Sequence, residues 1–326
     1  MQIAKLTVSS SPHIRAAIST RRIMTDVLIA LVPALFCGVV HFGLRAAFIV
    51  GMTAFFSVLF EYIWQKVLHK PMTTGDLSAA VTGVLLGLSL PVTAPWWITL
   101  VGAFFAIIIT KQMFGGLGSN FVNPALSGRA FLLASWPVLM TTFVAPFSTG
   151  LYRGTDLITT PTPLTIIKSG VDFDTLPSLW HMFLGSTGGC IGETSALAIV
   201  LGALYLLARR VIAPHIPFAF LGTVAVLSFL FSKGSMSAVD SMLYNLFGGG
   251  LFLSAFFMAT DYVTSPMTKR GQLIMGIGCG LFTFLIRFKG GYPEGVTYAI
   301  LLMNIATPLI DKLCRPRPFG YVQRRK

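Results

Sequence analysis

The sequence contains little charge. Asp, Glu, Lys and Arg make up 11% of its 326 residues, whereas hydrophobic residues make up 54%. Soluble proteins average about 25% charged residues, and a surface with less than half that share cannot face water throughout. The composition therefore excludes a soluble enzyme. It predicts an all-α polytopic membrane protein with about ten transmembrane helices, because each helix needs about 20 apolar residues.

Acidic residues are the scarcer kind, at 11 Asp and Glu against 24 Lys and Arg, which gives a formal net charge of +13. In a soluble chain this excess would indicate nucleic-acid binding. Here, a cytoplasmic N-terminus and alternating spans place most basic residues in cytoplasmic segments, as the positive-inside rule expects. The opposite orientation would reverse that bias. We therefore expect both termini in the cytoplasm and no nucleic-acid partner.

Ten apolar runs define the predicted organisation. They lie at 24–42, 46–64, 77–91, 95–111, 123–139, 183–208, 216–232, 241–259, 271–288 and 294–311. A cytoplasmic N-terminal segment (1–23) precedes a first five-helix membrane unit (24–139). An extracytoplasmic loop (140–182) leads to a second five-helix unit (183–311) and a basic cytoplasmic tail (312–326). We expect no signal peptide in the polar N-terminal segment, because the first apolar run is long enough to remain as a span.

The two predicted units would have opposite orientations in the membrane, because each contains an odd number of spans. Residues 83–88 (GVLLGL) resemble residues 250–255 (GLFLSA), which pairs the third span with the eighth. A competing match of residues 75–79 (GDLSA) with 192–196 (GETSA) pairs the third span with the sixth. The sequence thus favours an inverted repeat of five plus five helices, and both pairings stay open.

Cysteine is rare and scattered, with four residues and no CxxC pair. Iron–sulfur and structural zinc sites need clustered ligands. The five histidines lack HxxxH or HxxE spacing, and no glycine-rich dinucleotide motif follows a strand. We therefore expect no metal site, no NAD site and no complete catalytic site within this chain.

Two segments rich in helix breakers lie at predicted cytoplasmic ends of spans, at 114–124 (FGGLGSNFVNP) and 260–266 (TDYVTSP). Irregular backbone at membrane depth must be buried in protein or line a cavity, and transporters build binding sites at such breaks. Ordinary connecting loops would have the same composition. Each segment is therefore either part of a binding site or an ordinary connecting loop.

Arg129 lies about six residues into the fifth span. A guanidinium keeps its proton, so within a span it needs carboxylates, backbone carbonyls or an anionic ligand. Two interpretations stay open, a ligand contact and an internal ion pair with Glu61, Asp76 or Glu193. Glu193 and Asp76 also lie near span ends, where an acid suits the positive end of a helix dipole.

Several motifs, spread over essentially the whole chain, resemble the D subunit of the Rnf complex. They resemble the B subunit of the sodium-pumping NADH:quinone oxidoreductase more distantly. The motifs are GGLGSN at 115–120, NPA at 123–125, GETSAL at 192–197, MATD at 258–261, TSP at 264–266, PEGV at 293–296 and MNIATPLID at 303–311. The resemblance implies a fold similar to urea and ammonium transporters, with an inverted pair of five-helix units.

The resemblance also implies a flavin on the outer loop. In that family a threonine is joined to FMN through a phosphodiester, and the motif places Asp156 as the lead acid, Thr159 at the Ser/Thr position and Thr162 as the acceptor. The Gly-Ala pair common in the family is absent here, so Thr160 is the alternative acceptor. A threonine hydroxyl is a weak nucleophile, so a separate flavin transferase must attach the FMN. Lys168 could balance the phosphodiester charge, or could be an ordinary solvated lysine.

A second, non-covalent flavin, riboflavin or FMN, is implied near the cytoplasmic side. Amide and hydroxyl groups can bind the edge of an isoalloxazine ring, and glycines allow it to approach closely. Besides the outer-loop residues, the candidate cofactor-binding residues are Gly116, Asn120, Asn123, Arg129, Asp261, Thr264 and Ser265.

The function that the resemblance implies is electron transport between ferredoxin and NAD, coupled to outward movement of Na+ or H+. The expected partners are the A, B, C, E and G subunits of the Rnf complex, the flavin transferase and membrane lipid. The expected location is the bacterial cytoplasmic membrane, with the flavin loop extracytoplasmic. Two alternatives stay open, a solute channel or transporter of the same fold without a redox cofactor, and the B subunit of the quinone reductase.

Overall fold

The computed structural model describes residues 19–147, 160–169, 176–232 and 236–315. Within these ranges the chain forms helices and loops, and no β-strand. The all-α class predicted from composition is therefore confirmed for the described part of the chain.

The described residues of the first half of the chain form six helices and two short non-α stretches. They are α1 (Thr20–Phe42), α2 (Leu44–Val67), a 3₁₀ turn (Thr74–Asp76), α3 (Ser78–Leu88), α4 (Trp96–Phe104) with a π-helical continuation (Phe105–Gln112), α5 (Pro124–Ser135) and α6 (Pro137–Thr141).

The second half begins with two short helices beside the predicted outer loop. The helices from there to the end of the described residues are α7 (Pro163–Ser169), α8 (Leu179–Leu184), α9 (Ala196–Ala208), α10 (His215–Leu230), α11 (Ala238–Phe247), α12 (Leu251–Leu253) with a π-helical continuation (Ser254–Met258), α13 (Lys269–Lys289) and α14 (Val296–Leu313).

Four helices are individually long and apolar enough to cross a membrane, namely α1, α2, α13 and α14. The pair α11 and α12 makes a fifth candidate span, bent by 62° at the break between its two parts. Shorter apolar helices accompany them: α3, α4 with its π continuation, α9 and α10. The described residues thus form a multi-pass helical membrane protein.

The sixth predicted apolar run, 183–208, is wrong as one continuous helix. α8 ends at Leu184 because Gly185 adopts a left-handed conformation (φ 106°), which is a common way for a helix to stop. Residues 185–195 are not helical, and α9 starts only at Ala196. Ser195 caps α9 by accepting a hydrogen bond from the Ala198 N–H at 3.3 Å.

Two glycines let α3 pack directly on α2. A Cβ atom at Gly83 would lie 2.6 Å from the Ala54 Cα, and one at Gly87 would lie 2.8 Å from the Val50 Cα. Small residues allow this close approach of backbones between membrane helices. Along α2, a row of buried polar residues follows the i, i+4 spacing: Thr53, Ser57, Glu61 and Gln65.

The two halves of the chain meet where α1 packs on α9 and where α5 packs on α14. At one end of the first contact, Asp26 of α1 accepts a hydrogen bond from the Tyr205 hydroxyl of α9 at 3.0 Å. Arg209, just after α9, makes an ion pair with the same carboxylate at 3.3 Å. The halves therefore form one packed body, and sites can form between them.

Candidate functional site

A cavity of about 360 Å³ lies beside the segment predicted to be extracytoplasmic, and we call it the outer cavity. Its walls come from α5, α6, α7, α14 and the turn before α14. The lining residues that carry polar or aromatic groups are Arg129, Thr141, Phe143, Thr160, Thr162, Thr165, Tyr292, Glu294, Thr297 and Tyr298. Its volume falls in the range of about 300–1,000 Å³ that is typical of ligand pockets.

Thr162 lies in the wall of the outer cavity at the start of α7. Its carbonyl accepts hydrogen bonds from the N–H groups of Thr165 (2.9 Å) and Ile166 (3.2 Å). Its hydroxyl lies 2.8 Å from that of Thr165, and only 7% of the residue is exposed. The predicted acceptor threonine therefore has a fixed backbone, and its side chain faces the cavity side of α7.

Thr160, the alternative acceptor, also lines the outer cavity. Its backbone N–H donates to the Phe143 carbonyl at 3.1 Å. Its hydroxyl is buried and has no hydrogen-bond partner among the described residues. The other two members of the predicted motif, Asp156 and Thr159, lie outside the described residues.

Lys168 does not line the outer cavity, but it stabilises the backbone of a turn that does. Its Nζ donates to the carbonyls of Gly290 and Tyr292, the latter at 2.9 Å. These bonds fix the turn that carries Tyr292. The ring of Tyr292 lies 5.2 Å from that of Tyr298, with an angle of 33° between them. The cavity thus has an aromatic pair in its lining.

Arg129 makes an internal ion-pair cluster, one of the two arrangements left open by the sequence. Its Nη1 lies 2.5 Å from Glu193 Oε1, and its Nη2 lies 2.5 Å from Glu294 Oε2. Nη2 also donates to Cys190 Sγ at 3.4 Å. Glu193 was one of the three expected partners, whereas Glu294 was missed. Arg129 and Glu294 also line the outer cavity, so the guanidinium remains close to any ligand there.

Arg287 of α13 stabilises the same region by donating hydrogen bonds to backbone carbonyls, whereas Arg129 pairs with carboxylates. It donates to the backbone carbonyls of Asn245 (2.5 Å), Gly248 (3.1 Å) and Glu294 (2.9 Å). Two of these carbonyls belong to the end of α11, where the helix breaks. Carbonyl groups released by a helix break in a membrane must find another donor, and the buried guanidinium supplies it.

A second, smaller cavity of about 80 Å³ lies between the two breaker segments, and we call it the inner cavity. Asn120, Asn123 and Asp261 line it, together with Lys111. Asn123 ties the two segments together, because its Nδ2 donates to the Met258 carbonyl at 3.1 Å. Its Oδ1 caps α5 by accepting from the N–H groups of the next helical residues. The breaker segments therefore meet in space, as a shared site requires.

Three predicted residues of the breaker segments do not line the inner cavity: Gly116, Thr264 and Ser265. Gly116 is buried in a bend of the first breaker segment and has φ 93°. The Thr264 hydroxyl donates to Asp261 at 3.3 Å, and the Ser265 N–H donates to the Asp261 carbonyl at 3.1 Å. These two residues therefore shape the segment around Asp261. Burial raises the pKa of the Asp261 carboxyl, while hydrogen bonds from Val263 and Thr264 oppose the shift.

Lys111 was missed as a site residue by the sequence reasoning. Its Nζ, which is almost fully buried, pairs with Glu61 Oε1 at 2.8 Å and donates to Ser78 Oγ at 2.6 Å. Gln112 Nε2 donates to the same Glu61 oxygen at 2.7 Å. Ser78 in turn donates to Asp76 at 2.6 Å. Glu61 and Asp76, considered as partners of Arg129, belong to this separate cluster.

The two cavities differ in how well they suit a flavin. The outer cavity has the volume of a ligand pocket, an aromatic pair, a guanidinium and both candidate acceptor threonines, so its residues fit a tethered FMN. The inner cavity has amide and carboxyl groups that can form hydrogen bonds with the edge of an isoalloxazine ring. At about 80 Å³, however, it is smaller than ligand pockets of about 300–1,000 Å³. A tricyclic ring does not fit it in this conformation.

Comparisons with known proteins show the family of this chain. The model of the NQR2, RnfD, RnfE family matches residues 7–320. The D subunit of the Na+-translocating ferredoxin:NAD+ oxidoreductase complex of Acetobacterium woodii is 50% identical, covering 100% of this chain and 99% of the relative. The D subunit of the proton-translocating ferredoxin:NAD+ oxidoreductase complex of Clostridium ljungdahlii is 46% identical, covering 96% of each chain.

A relative from Stutzerimonas stutzeri, the D subunit of an ion-translocating oxidoreductase complex, is 40% identical and covers 94% of each chain. Identity at this level over nearly the full length of the relatives leaves the assignment unambiguous. This chain belongs to the NQR2, RnfD, RnfE family.

Proposed function

We propose that this chain is the D-type membrane subunit of an ion-translocating ferredoxin:NAD+ oxidoreductase complex. The relatives from Acetobacterium woodii and Clostridium ljungdahlii, which carry that description, support the assignment over the whole chain. One belongs to a Na+-translocating complex and the other to a proton-translocating complex, so the family leaves the ion open. The partners are the A, B, C, E and G subunits of the Rnf complex and the surrounding membrane lipid. The chain works as one part of a translocase and holds no complete active site.

We further propose that FMN is attached to Thr162 and occupies the outer cavity. The observation that carries this proposal is the position of the Thr162 hydroxyl beside a cavity of about 360 Å³ that also contains Arg129 and the Tyr292–Tyr298 pair. Bound FMN would supply one- and two-electron redox chemistry. A flavin transferase would make the phosphodiester bond during maturation.

The chain's own residues would position the FMN and exclude water. The tyrosine pair offers aromatic surface to a planar ring. Lys168 stabilises the turn that carries Tyr292, and this contact gives it a role other than balancing the phosphodiester charge. Arg129 places a positive charge at the cavity, where reduction would add negative charge, although two carboxylates already share that guanidinium.

The experiment that tests this proposal is in-gel ultraviolet fluorescence of the denatured chain after co-expression with a flavin transferase. We expect a fluorescent band for the wild type and no band for Thr162→Ala. Thr160→Ala is the matched control, because Thr160 lines the same cavity, and its band should remain. Loss of the band only in Thr160→Ala would move the acceptor to Thr160. A dark wild type would instead favour a solute channel without a redox cofactor.

For the second flavin, we propose the breaker segments as its binding region only in a conformation that is more open than this one. The donors at Asn120, Asn123 and Asp261 support the location, and the small volume argues against occupancy of the closed form. We assign no electron-transfer step to it. This location is tested by titrating the purified protein with free riboflavin or FMN and measuring the quenching of flavin fluorescence. The affinity of the wild type is compared with that of an Asn120→Ala variant.

We also propose ten spans arranged as an inverted repeat of five plus five helices, similar to urea and ammonium transporters. The equivalent contacts of the two halves support it. The second and fourth spans of the first unit pack together (α2 with α4), as do the second and fourth of the second unit (α10 with α13). The first spans of the units, α1 and α9, pack on each other, as do the last, α5 and α14.

The proposed location is the bacterial cytoplasmic membrane, with both termini in the cytoplasm and the flavin loop outside. The distribution of Lys and Arg supports this orientation. Single-cysteine variants in a background without the four native cysteines, labelled with a membrane-impermeant maleimide on whole cells, test it. A cysteine at Lys168 should react from outside, and one at Lys269 should not.

A further inference from the structure

The Arg129 cluster joins three segments that are distant in sequence. Arg129 comes from α5, Glu193 from the segment before α9, and Glu294 from the turn before α14. The guanidinium uses a separate nitrogen for each carboxylate, at 2.5 Å in both cases. The Arg129 and Glu193 side chains are almost fully buried, whereas 19% of the Glu294 side chain is exposed. One cation is therefore shared by two acids in a region with little water.

The charge of this cluster is not balanced by other side chains at direct contact. The charged and titratable groups that face Glu193 are Arg129 from α5, Glu294 from the turn before α14, Arg287 from α13 and Cys190 from its own segment. Arg287 directs its N–H groups to backbone carbonyls. The charge of Arg287 therefore acts on the two acids only from a distance. A carboxylate with little direct compensation is costly in a low-dielectric region, so a further negative charge in the outer cavity favours uptake of one proton by the two acids.

Glu193 is the better placed of the two acids to hold that proton. Its Oε1 accepts from Arg129, whereas its Oε2 is buried and has no hydrogen-bond partner among the described residues. A buried ionised oxygen without a donor has lost its hydration without compensation. Glu193 is also packed against Gly250 at the break between α11 and α12, where any side chain larger than glycine would collide with its carboxylate. The carboxylate is therefore held in place.

A metal ion is a poor occupant for the same cluster. The ligand atoms of Cys190, Glu193 and Glu294 lie within 4.8 Å of one another, which would suit a cation by distance alone. However, Arg129 donates to all three of these side chains. A bound cation would have to displace the guanidinium or lie against it. The geometry thus favours a proton over a metal ion.

We propose that Glu193 takes up one proton when one electron enters the outer cavity and releases it when the electron leaves. The proposal rests on the proposed function, because an electron can reside there only with FMN bound. The electron derives from ferredoxin through the complex, and the proton comes from water on the outer side. The carboxylate becomes a carboxylic acid as the occupant gains one negative charge, so the net charge of the site stays constant. Glu193 is thus a positioning residue that acts on the flavin through Arg129.

The test is a reduced-minus-oxidised infrared difference spectrum of the purified whole complex with FMN attached. We expect the C=O band of a protonated carboxyl group to appear on reduction, to shift in D₂O and to disappear in Glu193→Gln. Glu61→Gln is the matched control, since Glu61 is another buried glutamate with one unpartnered oxygen among the described residues, and its band should be unchanged. Glu193→Asp keeps a titratable group and should restore a shifted band, which guards against a variant that merely folds poorly.

Two results would overturn the proposal. They are the absence of a carboxyl band in a fluorescent, FMN-bearing wild type, and persistence of the band in Glu193→Gln, in which case its loss in Glu294→Gln would assign the proton to Glu294. Each leaves the flavin assignment intact, because in-gel fluorescence reports the attachment separately. As a second readout, the midpoint potential of the bound FMN should depend less steeply on pH in Glu193→Gln than in the wild type.

Discussion

Two buried ion clusters in the described part of the chain are built differently. At the outer cavity, one guanidinium serves two carboxylates, Glu193 and Glu294, that come from separate segments. At the inner cavity, one ammonium, Lys111, serves one carboxylate, Glu61, and an amide and a hydroxyl provide further hydrogen bonds. The inner cluster lies within the first half of the chain, whereas the outer cluster joins both halves.

The difference indicates that the two ion clusters have different roles. A matched ion pair with additional hydrogen bonds can remain in one charge state, so the inner cluster fixes the π-helical end of α4 against α2. In the outer cluster two acids share one directly bonded cation, so a proton can bind when a further negative charge arrives. The outer cluster is therefore the one that can respond when the charge in its cavity changes.

Removing the cation of the outer cluster should have the largest effect on stability. Arg129→Met leaves Glu193 and Glu294 without their shared donor, and loss of one partner of a buried pair costs about 3–5 kcal/mol. We expect little folded protein in detergent, measured by fluorescence-detected size-exclusion chromatography after heating. Arg209→Met is the control, because that side chain is 42% exposed and surface pairs contribute about 0–1 kcal/mol. Equal losses in both variants would contradict the comparison.

Breaking the inner cluster should have a smaller but clear effect. Lys111→Met leaves only one carboxylate unpaired, and Gln112 still donates to it. We expect a lower unfolding temperature than in the wild type and a higher one than in Arg129→Met. The double variant Lys111→Met with Glu61→Gln should recover most of the loss, since replacing both partners of a buried pair by neutral groups is often tolerated. No recovery would mean that the ammonium has a role beyond this pair.

The smallest effect is expected at Asp261, beside the inner cluster. Burial raises the pKa of this carboxyl in the folded protein, so the folded state binds the proton more tightly than the unfolded chain. The free energy of unfolding therefore falls as pH rises from the unfolded pKa of about 3.9 through the higher folded pKa. Asp261→Asn removes this contribution, and its stability relative to the wild type should rise over that range. Thermal unfolding in detergent across acidic pH measures the difference; a parallel pH dependence would refute it.

The membrane helices could be predicted from the sequence because their signal is local. α1, α2, α13 and α14 are long apolar runs, and each can be recognised without knowing its neighbours. The sixth run failed because hydropathy does not register the left-handed Gly185 that stops α8. Among the polar groups, Arg129 was recognised because a guanidinium within an apolar run is costly wherever it lies.

The partners of these groups could not be predicted in the same way. Glu294 lies 165 positions from Arg129, and only the tertiary packing of α5 on α14 brings them together. Its motif, PEGV at 293–296, was noticed through the family resemblance and not as an ion-pair partner. Lys111 stands at the end of an apolar run, where a lysine ordinarily extends to the membrane surface. The π-helical stretch changes the direction of that turn and places the side chain against Glu61.

The glycine contact between α2 and α3 also limits where ions can travel. At the levels of Gly83 and Gly87 the two backbones touch closely enough that not even a methyl group could be added. Thr53 and Ser57 next to this contact are fully buried. α2 presents a line of side-chain oxygen atoms along the helix. At Gly83 and Gly87, however, the contact between α2 and α3 is too narrow for a hydrated ion. An ion that reaches Glu61 therefore cannot pass between α2 and α3 at these levels.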